Sequence, residues 1–113
     1  EIAGTDADGL YYMTPYNRTS PAGKALAEAW AQAYPNDPLT FEGAAAYDAM
    51  SALIQALKEG GTTREAVQEW LSNATAIEGQ ATGKSPWNLT ERAPIKADDL
   101  SFRVWRNGQT EAV

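Results

Sequence analysis

The side chains best suited to chemistry in this chain are carboxylates. Asp6 lies two positions before Asp8, and Asp98 is followed directly by Asp99. Such pairs in loop-like sequence invite an enzymatic or a calcium-binding reading. The spacing, glycine and terminal glutamate of an EF-hand loop are absent. Glycosidase carboxylates are recognised by separation in space, not in sequence. Solvated loop charge is therefore the better account of both pairs. The chain contains no histidine and no cysteine. That removes Cys nucleophiles, disulfides, Cys/His zinc sites and Ser-His-Asp triads together. Gly60-Gly61 reads as a helix cap, not a phosphate loop. Asn17-Arg18-Thr19, Asn73-Ala74-Thr75 and Asn88-Leu89-Thr90 fit the glycosylation sequon, which carries meaning only along a eukaryotic secretory route. Trp87 and Trp105 are the aromatic side chains left for stacking on a sugar or an aromatic solute. The expectation is a protein that is not an enzyme, with no metal site and no cofactor.

The whole chain narrows the field further. Its 113 residues are 43% hydrophobic and 21% charged, with 9 Lys+Arg against 15 Asp+Glu and a net charge of -6. One domain fits this length, and a domain of this size buries roughly 65% of its unfolded surface. No apolar run approaches the roughly 20 residues of a membrane span. An acidic chain without a basic block lacks the footprint for sequence-independent DNA or RNA binding. Zero cysteines is compatible with an oxidising compartment. The chain opens at Glu1 without a signal peptide, and is expected to be a processed or truncated piece.

The elements that must position any site are legible from spacing. Leu10 to Thr14 is a short aromatic and apolar run bounded by Gly9 and Pro15; lacking alternation, it predicts a strand buried on both faces, with Tyr11 and Tyr12 in the core. Ser20 with Pro21 opens a helix. Leu26, Ala29, Trp30, Ala33 and Tyr34 make its apolar face, and Pro35 stops it. A second helix spans about Phe41 to Lys58. Its apolar face is Ala46, Tyr47, Met50, Leu53, Ile54 and Leu57, with Gly60 or Gly61 as the left-handed cap. Thr62 and Glu65 have capping-box spacing at the start of a third helix that fades near Asn73, with Val67, Trp70 and Leu71 as its stripe. Trp30 and Trp70 thus fall on apolar faces and belong to the core. Asp48 sits near the start of the second helix, where it can satisfy the dipole. Ile77 to Lys84 reads as loop, Trp87 to Leu89 as a short edge strand, and Thr90 to Asp99 as irregular. Leu100 to Trp105 alternates, and Asn107-Gly108 is a strong hairpin signal leading into Gln109 to Val113. Three amphipathic helices need a flat layer to cover, and about four short strands at the chain ends supply little of one.

That order and its particular words resemble the C-terminal third of the type I periplasmic solute-binding proteins, the leucine/isoleucine/valine-binding group of transport receptors. The carriers are Gly9-Leu10-Tyr11-Tyr12-Met13-Thr14-Pro15-Tyr16, then Ser20-Pro21, then Ala46-Tyr47-Asp48-Ala49. Glu78-Gly79 with Thr82-Gly83 and Phe102-Arg103-Val104-Trp105-Arg106-Asn107-Gly108-Gln109 follow in the same order. Between Pro86 and Asp99 the sequence departs from the family, which usually has a phenylalanine, an acidic residue and a glycine turn there.

The resemblance implies an α/β fold class: the C-terminal fragment of a two-lobed structure, with a strand, three helices, a short edge strand and a terminal hairpin. Residues of about 10–14 and 100–113 would belong to the second lobe, and 17–95 to the first. A crossover would run through Thr14, Pro15 and Asn17 as hinge residues, and a later one would fall in Ile95 to Leu100. Phe41 and Glu42, in the loop leading into the second helix, would touch the ligand, with Glu42 alternatively only favouring the helix dipole from the first turn; Tyr16 would line the cleft mouth or, equally, pack as a loop aromatic against a strand. The implied function is an extracytoplasmic receptor of an ABC importer, periplasmic, lipid-anchored or soluble. It would bind a small solute such as an amino acid or amide in an interlobe cleft that closes on it. Its implied partners are the solute, the N-terminal remainder of the binding protein and a membrane permease, with no nucleic acid. Two alternatives stand beside this: a ligand-sensing regulatory module on the same fold, and a free-standing helical interaction domain. For the isolated chain, exposed helix faces predict self-association or swapping.

Overall fold

Three short hydroxyl caps set the helical half of the chain. In a computed structural model, which describes residues 3–75, 77, 81–82 and 97–113, Ser20 Oγ accepts the Gly23 N–H at 3.0 Å and starts α1 (Pro21–Ala33). Thr40 Oγ1 accepts the Gly43 N–H at 3.4 Å and starts α2 (Phe41–Glu59). Thr63 Oγ1 accepts the Ala66 N–H at 3.2 Å and starts α3 (Arg64–Asn73). Each cap satisfies one of the donors a helix leaves open at its first turn. The cap of α3 falls one residue later than the Thr62/Glu65 spacing predicts. Gly61, at φ +117°, is still turning the chain there, and Thr62 lies outside the helix.

The strands form one antiparallel sheet in the order β1 (Tyr11–Thr14), β2 (Ser101–Arg106), β3 (Gln109–Ala112). Met13 stands opposite Phe102, and Tyr11 opposite Val104. The β2–β3 turn has Asn107 at φ +50° and Gly108 at φ +73°, the two positive values that the Asn-Gly pair supplies cheaply. A 3-10 turn over Gly4–Ala7 is tied to the sheet by the Trp105 indole, which donates to the Gly4 carbonyl at 3.2 Å. A second 3-10 turn, Ala97–Asp99, precedes β2. The expected edge strand at Trp87–Leu89 and the words Glu78-Gly79 and Gly83 lie outside the described residues, as do the first two positions of the expected later crossover.

The core mixes alanines with a few larger side chains. Tyr16, Leu26, Leu39, Ala44 and Ala81 are buried together, with Ala27, Trp30 and Phe41 packed against them. Ala52 and Ala56 are buried on α2, whose C-terminal end packs against α3. On α1 the inward face is Gly23, Leu26, Ala27 and Trp30, one step round from the predicted face: Ala29, Ala33 and Tyr34 are exposed.

Two apolar faces are uncovered. On α2, Tyr47, Met50, Leu53, Ile54 and Leu57 are all exposed, although they form the helix's apolar stripe. On the sheet, Tyr11, Met13 and Phe102 are each more than half exposed, although Val104 on the same face is buried, which corrects the expectation of a first strand buried on both faces. The stripes are as the sequence predicts; the layers that would cover them are not among the described residues. Nor, among those residues, is any helix long and apolar enough to cross a membrane. The radius of gyration is 16.2 Å, where a compact chain of this length has about 13 Å.

Candidate functional site

The residues singled out in the sequence gather where the sheet gives way to the helices. Thr14 ends β1, and its Oγ1 accepts the Tyr16 N–H at 3.3 Å across Pro15. Two residues beyond the sheet, Tyr16 is 3% exposed and lies in the helical core. Its hydroxyl donates to the Gly23 carbonyl at 3.2 Å. Burial pushes the Tyr16 phenol above its usual pKa, against the opposing pull of the Arg18 guanidinium, so it stays a neutral donor. Asn17 folds back on the next turn. Its Oδ1 accepts the Thr19 N–H at 2.9 Å and the Thr19 hydroxyl at 2.7 Å, and its carbonyl accepts the Ser20 hydroxyl at 2.9 Å.

Arg18 links this stretch to the entry of α2. Its guanidinium lies 5.5 Å from the centre of the Tyr16 ring and donates to the Leu39 carbonyl at 2.7 Å. Leu39 directly precedes the Thr40 cap, so Arg18 ties the turn that enters α2 to the Tyr16 stretch. Trp30 steadies the same connector from the α1 side, its indole donating to the Asp37 carbonyl at 2.8 Å. Phe41 is half-buried against the core cluster that contains Tyr16. Glu42 is exposed in the first turn of α2. Its own backbone N–H, and then the Thr40 hydroxyl, hold its carboxyl below the ordinary glutamate value. The two residues present an aromatic face and an ionised carboxylate at one helix start. That pair can receive an apolar group and a cationic or hydrogen-bond-donating group without covalent chemistry.

Two of the hollows in the chain lie beside this site or away from it, not on it. One of about 470 Å³ sits between the end of α2 and α3, where the Trp70 indole donates to Glu59 at 3.1 Å. One of about 350 Å³ lies under the Pro35–Pro38 connector and shares Arg18, Trp30 and Leu39 with the site. Neither is lined by Tyr16, Phe41 or Glu42. Among the described residues no group of three or more acidic side chains is placed to hold a metal ion.

Two residues emerge that sequence reasoning assigned otherwise or passed over. Asp48 lies more than two turns past the Thr40 cap, beyond reach of the α2 N-terminus. Its Oδ1 instead accepts the Ala81 N–H at 2.7 Å, and its Oδ2 accepts the Thr82 N–H at 2.7 Å and the Thr82 hydroxyl at 2.5 Å. Thr82 in turn pairs with Tyr16 as an isolated antiparallel bridge. The signal for Asp48 was its isolation: a short polar chain deep in an alanine-rich helix. Gly23 lies against the Asn17 carbonyl so closely that an added Cβ would stand 2.0 Å from that oxygen. A glycine within a helix pattern was the available sign of such an approach.

Against known proteins, a sequence profile described as periplasmic binding protein matches residues 1–105. No curated protein matches the chain. The structure is similar to that of a leucine binding protein, LivK, from Thermotoga maritima, with a TM-score of 0.64 and 21% identity over 99% of this chain and 32% of that one. It is also similar to an extracellular ligand-binding receptor from Rhodopseudomonas palustris, with a TM-score of 0.77 and 19% identity over 99% of this chain and 36% of that one. At these identities the likeness is one of fold. The chain spans about a third of the length of the structures it matches.

Proposed function

The chain belongs to the periplasmic binding protein family, and from that premise we propose that it forms the C-terminal part of an extracytoplasmic receptor whose two lobes close on a small solute. The solute is of the amino acid or amide class. The receptor, soluble or lipid-anchored outside the cytoplasm, presents its closed form to the permease of an ABC importer. In this reading residues of about 10–14 and 100–113 belong to one lobe and 17–95 to the other. Thr14, Pro15 and Asn17 are hinge residues, and the uncovered faces of α2 and the sheet pack on the N-terminal remainder of the protein. The observation that supports it most is the junction at Pro15: β1 lies in the three-stranded sheet, and Tyr16 is buried among the helices.

Binding then follows from differential contact. A solute that touches both lobes stabilises the closed state by its extra affinity for that state and shifts the population toward it. Phe41 packs on the apolar part of the solute, Glu42 receives its ammonium or amide N–H, and Tyr16 backs Phe41 from the core at the cleft mouth.

A thermal-shift screen of the full-length receptor against amino acids, amides, urea and small carboxylates tests this. One class is expected to raise the melting temperature, since a solute at a hundred times its dissociation constant adds about 2.7 kcal/mol. Silence across the whole panel would overturn the reading. Phe41→Ala and Glu42→Gln in that receptor test the contacts: each is expected to weaken binding of the responding solute, and unchanged affinity in both removes them from the site.

A further inference from the structure

The geometry points to Asp48 as the positioning residue of the hinge: one carboxylate in the middle of α2 pins the segment after α3 across the chain that leaves β1. The functional half of this statement rests on the receptor reading above. Both oxygens are engaged, Oδ1 by the Ala81 amide and Oδ2 by the Thr82 amide and hydroxyl. Each bond runs from an amide or hydroxyl donor to a carboxylate oxygen. The pinned residues are buried, Ala81 at 1% and Thr82 at 5% exposure, so their amides have no easy substitute in water.

Position gives the latch its meaning. Thr82 bridges Tyr16, and Tyr16 is fixed to α1 through its hydroxyl on the Gly23 carbonyl. One carboxylate, reached from residues 33 and 34 positions away, therefore holds two separate passes of the chain at a single point beside the crossover. Bending between the sheet and the helices is then centred on Thr14–Pro15, with Asn17, tied to Thr19 and Ser20, as the helical edge of the hinge. Without the latch, the Thr82 segment and Tyr16 would move independently, and closure would have no fixed axis at this crossover. An asparagine cannot replace the aspartate. It offers one oxygen, and its amide nitrogen would face a donor, leaving a buried N–H unpaired.

Hydrogen exchange on the full-length receptor without added solute tests the latch in Asp48→Asn, Thr82→Val and Thr82→Ser variants. In Asp48→Asn, exchange is expected to rise at least tenfold in peptides covering Tyr16 and Ala81–Thr82, with α1 and the β2–β3 hairpin unchanged. Thr82→Val, which loses only the hydroxyl bond, is expected to give a smaller rise, about threefold, in the same peptides and keeps the test open if the asparagine variant does not fold. Thr82→Ser retains the hydroxyl and is expected to exchange as the parent does. Opening at Ala81–Thr82 while Tyr16 stays protected would overturn the proposal, since the latch would then stop short of the crossover. A uniform rise across the chain would overturn it as well, by showing general destabilisation. The exchange result stands whether or not any solute shifts the melting temperature, so failure of the latch and failure of the receptor reading are separately visible.

Discussion

Gly23 contributes no side chain, yet three interactions converge on it. Its N–H goes to the Ser20 cap, its carbonyl receives the Tyr16 hydroxyl, and its Cα faces the Asn17 carbonyl with no room for a Cβ. Gly23→Ala would place a methyl 2.0 Å from a backbone oxygen, which cannot rotate aside. Overpacking of this kind costs about 1–3 kcal/mol, against at most about 1 kcal/mol returned by the better helix propensity of alanine. A net loss of up to about 3 kcal/mol is expected, read as a lowered urea midpoint of the full-length protein. Lys24→Ala, on the neighbouring exposed position, should stay within about 0.5 kcal/mol. Equal midpoints for the two variants would mean that the Asn17 carbonyl can give way. The contrast between Gly23 and Ser20 shows what is legible at this scale. Ser20 announces its role through the next residue, Pro21, because capping is local. Gly23 and Asp48 owe theirs to a backbone oxygen before the helix and to amides some thirty residues later, and neither distance is written in the spacing of neighbours.

α2 makes the same point for elements. Its start, its length and its apolar stripe follow from period and capping alone, and the structure has them within a residue. The surface that stripe serves could be inferred only as missing. Alanines take the contacts inside this chain: Ala44, Ala52 and Ala56 are buried, and the larger Tyr47, Met50, Leu53, Ile54 and Leu57 point outward. A helix with small residues on one side and large apolar ones on the other is built to be sandwiched, close to its sister helices and deep in a second layer. Leu53 distinguishes this from a helix that simply tolerates exposed leucines. It is 41% exposed in this chain. If the remainder of the protein covers it, Leu53→Ala in the full-length protein should cost about 2–5 kcal/mol, as core truncations do. If it faces water there, the change should stay within about 0.5 kcal/mol. Chemical denaturation separates the two, and the small value would remove the covering layer from the proposal. The hairpin needed no such outside partner to be read, because Asn107-Gly108 fixes its turn and register locally. The cap of α3 slipped by one residue because Thr62 and Thr63 are chemically equivalent, and only the backbone angle of Gly61 chooses between them.

At the scale of the whole molecule, shape and surface agree. The chain exposes 7932 Å², where a compact protein of 12.2 kDa exposes about 6,100 Å². The excess is about twice the roughly 800 Å² that one partner buries in a standard protein–protein interface. Its principal extents of 50 × 31 × 24 Å reflect a sheet at one end and helices at the other, joined through Thr14–Tyr16. Apolar stripes of this size on a short chain are expected to find cover wherever it is available. Taken alone, the 113 residues should therefore bind an apolar dye. They should also sediment as concentration-dependent dimers or larger species, with the face of α2 or the β1–β2 surface meeting its counterpart on a second copy. Changing Met50 and Leu53 together to lysine should suppress both signals in the isolated chain, because it places charge in the centre of the largest stripe. A strictly monomeric species that melts cooperatively and leaves the dye dark would show that these faces are at ease in water. These faces would then not be shaped for a second layer, and the two-lobed receptor would lose its strongest physical reason for claiming this chain as a part.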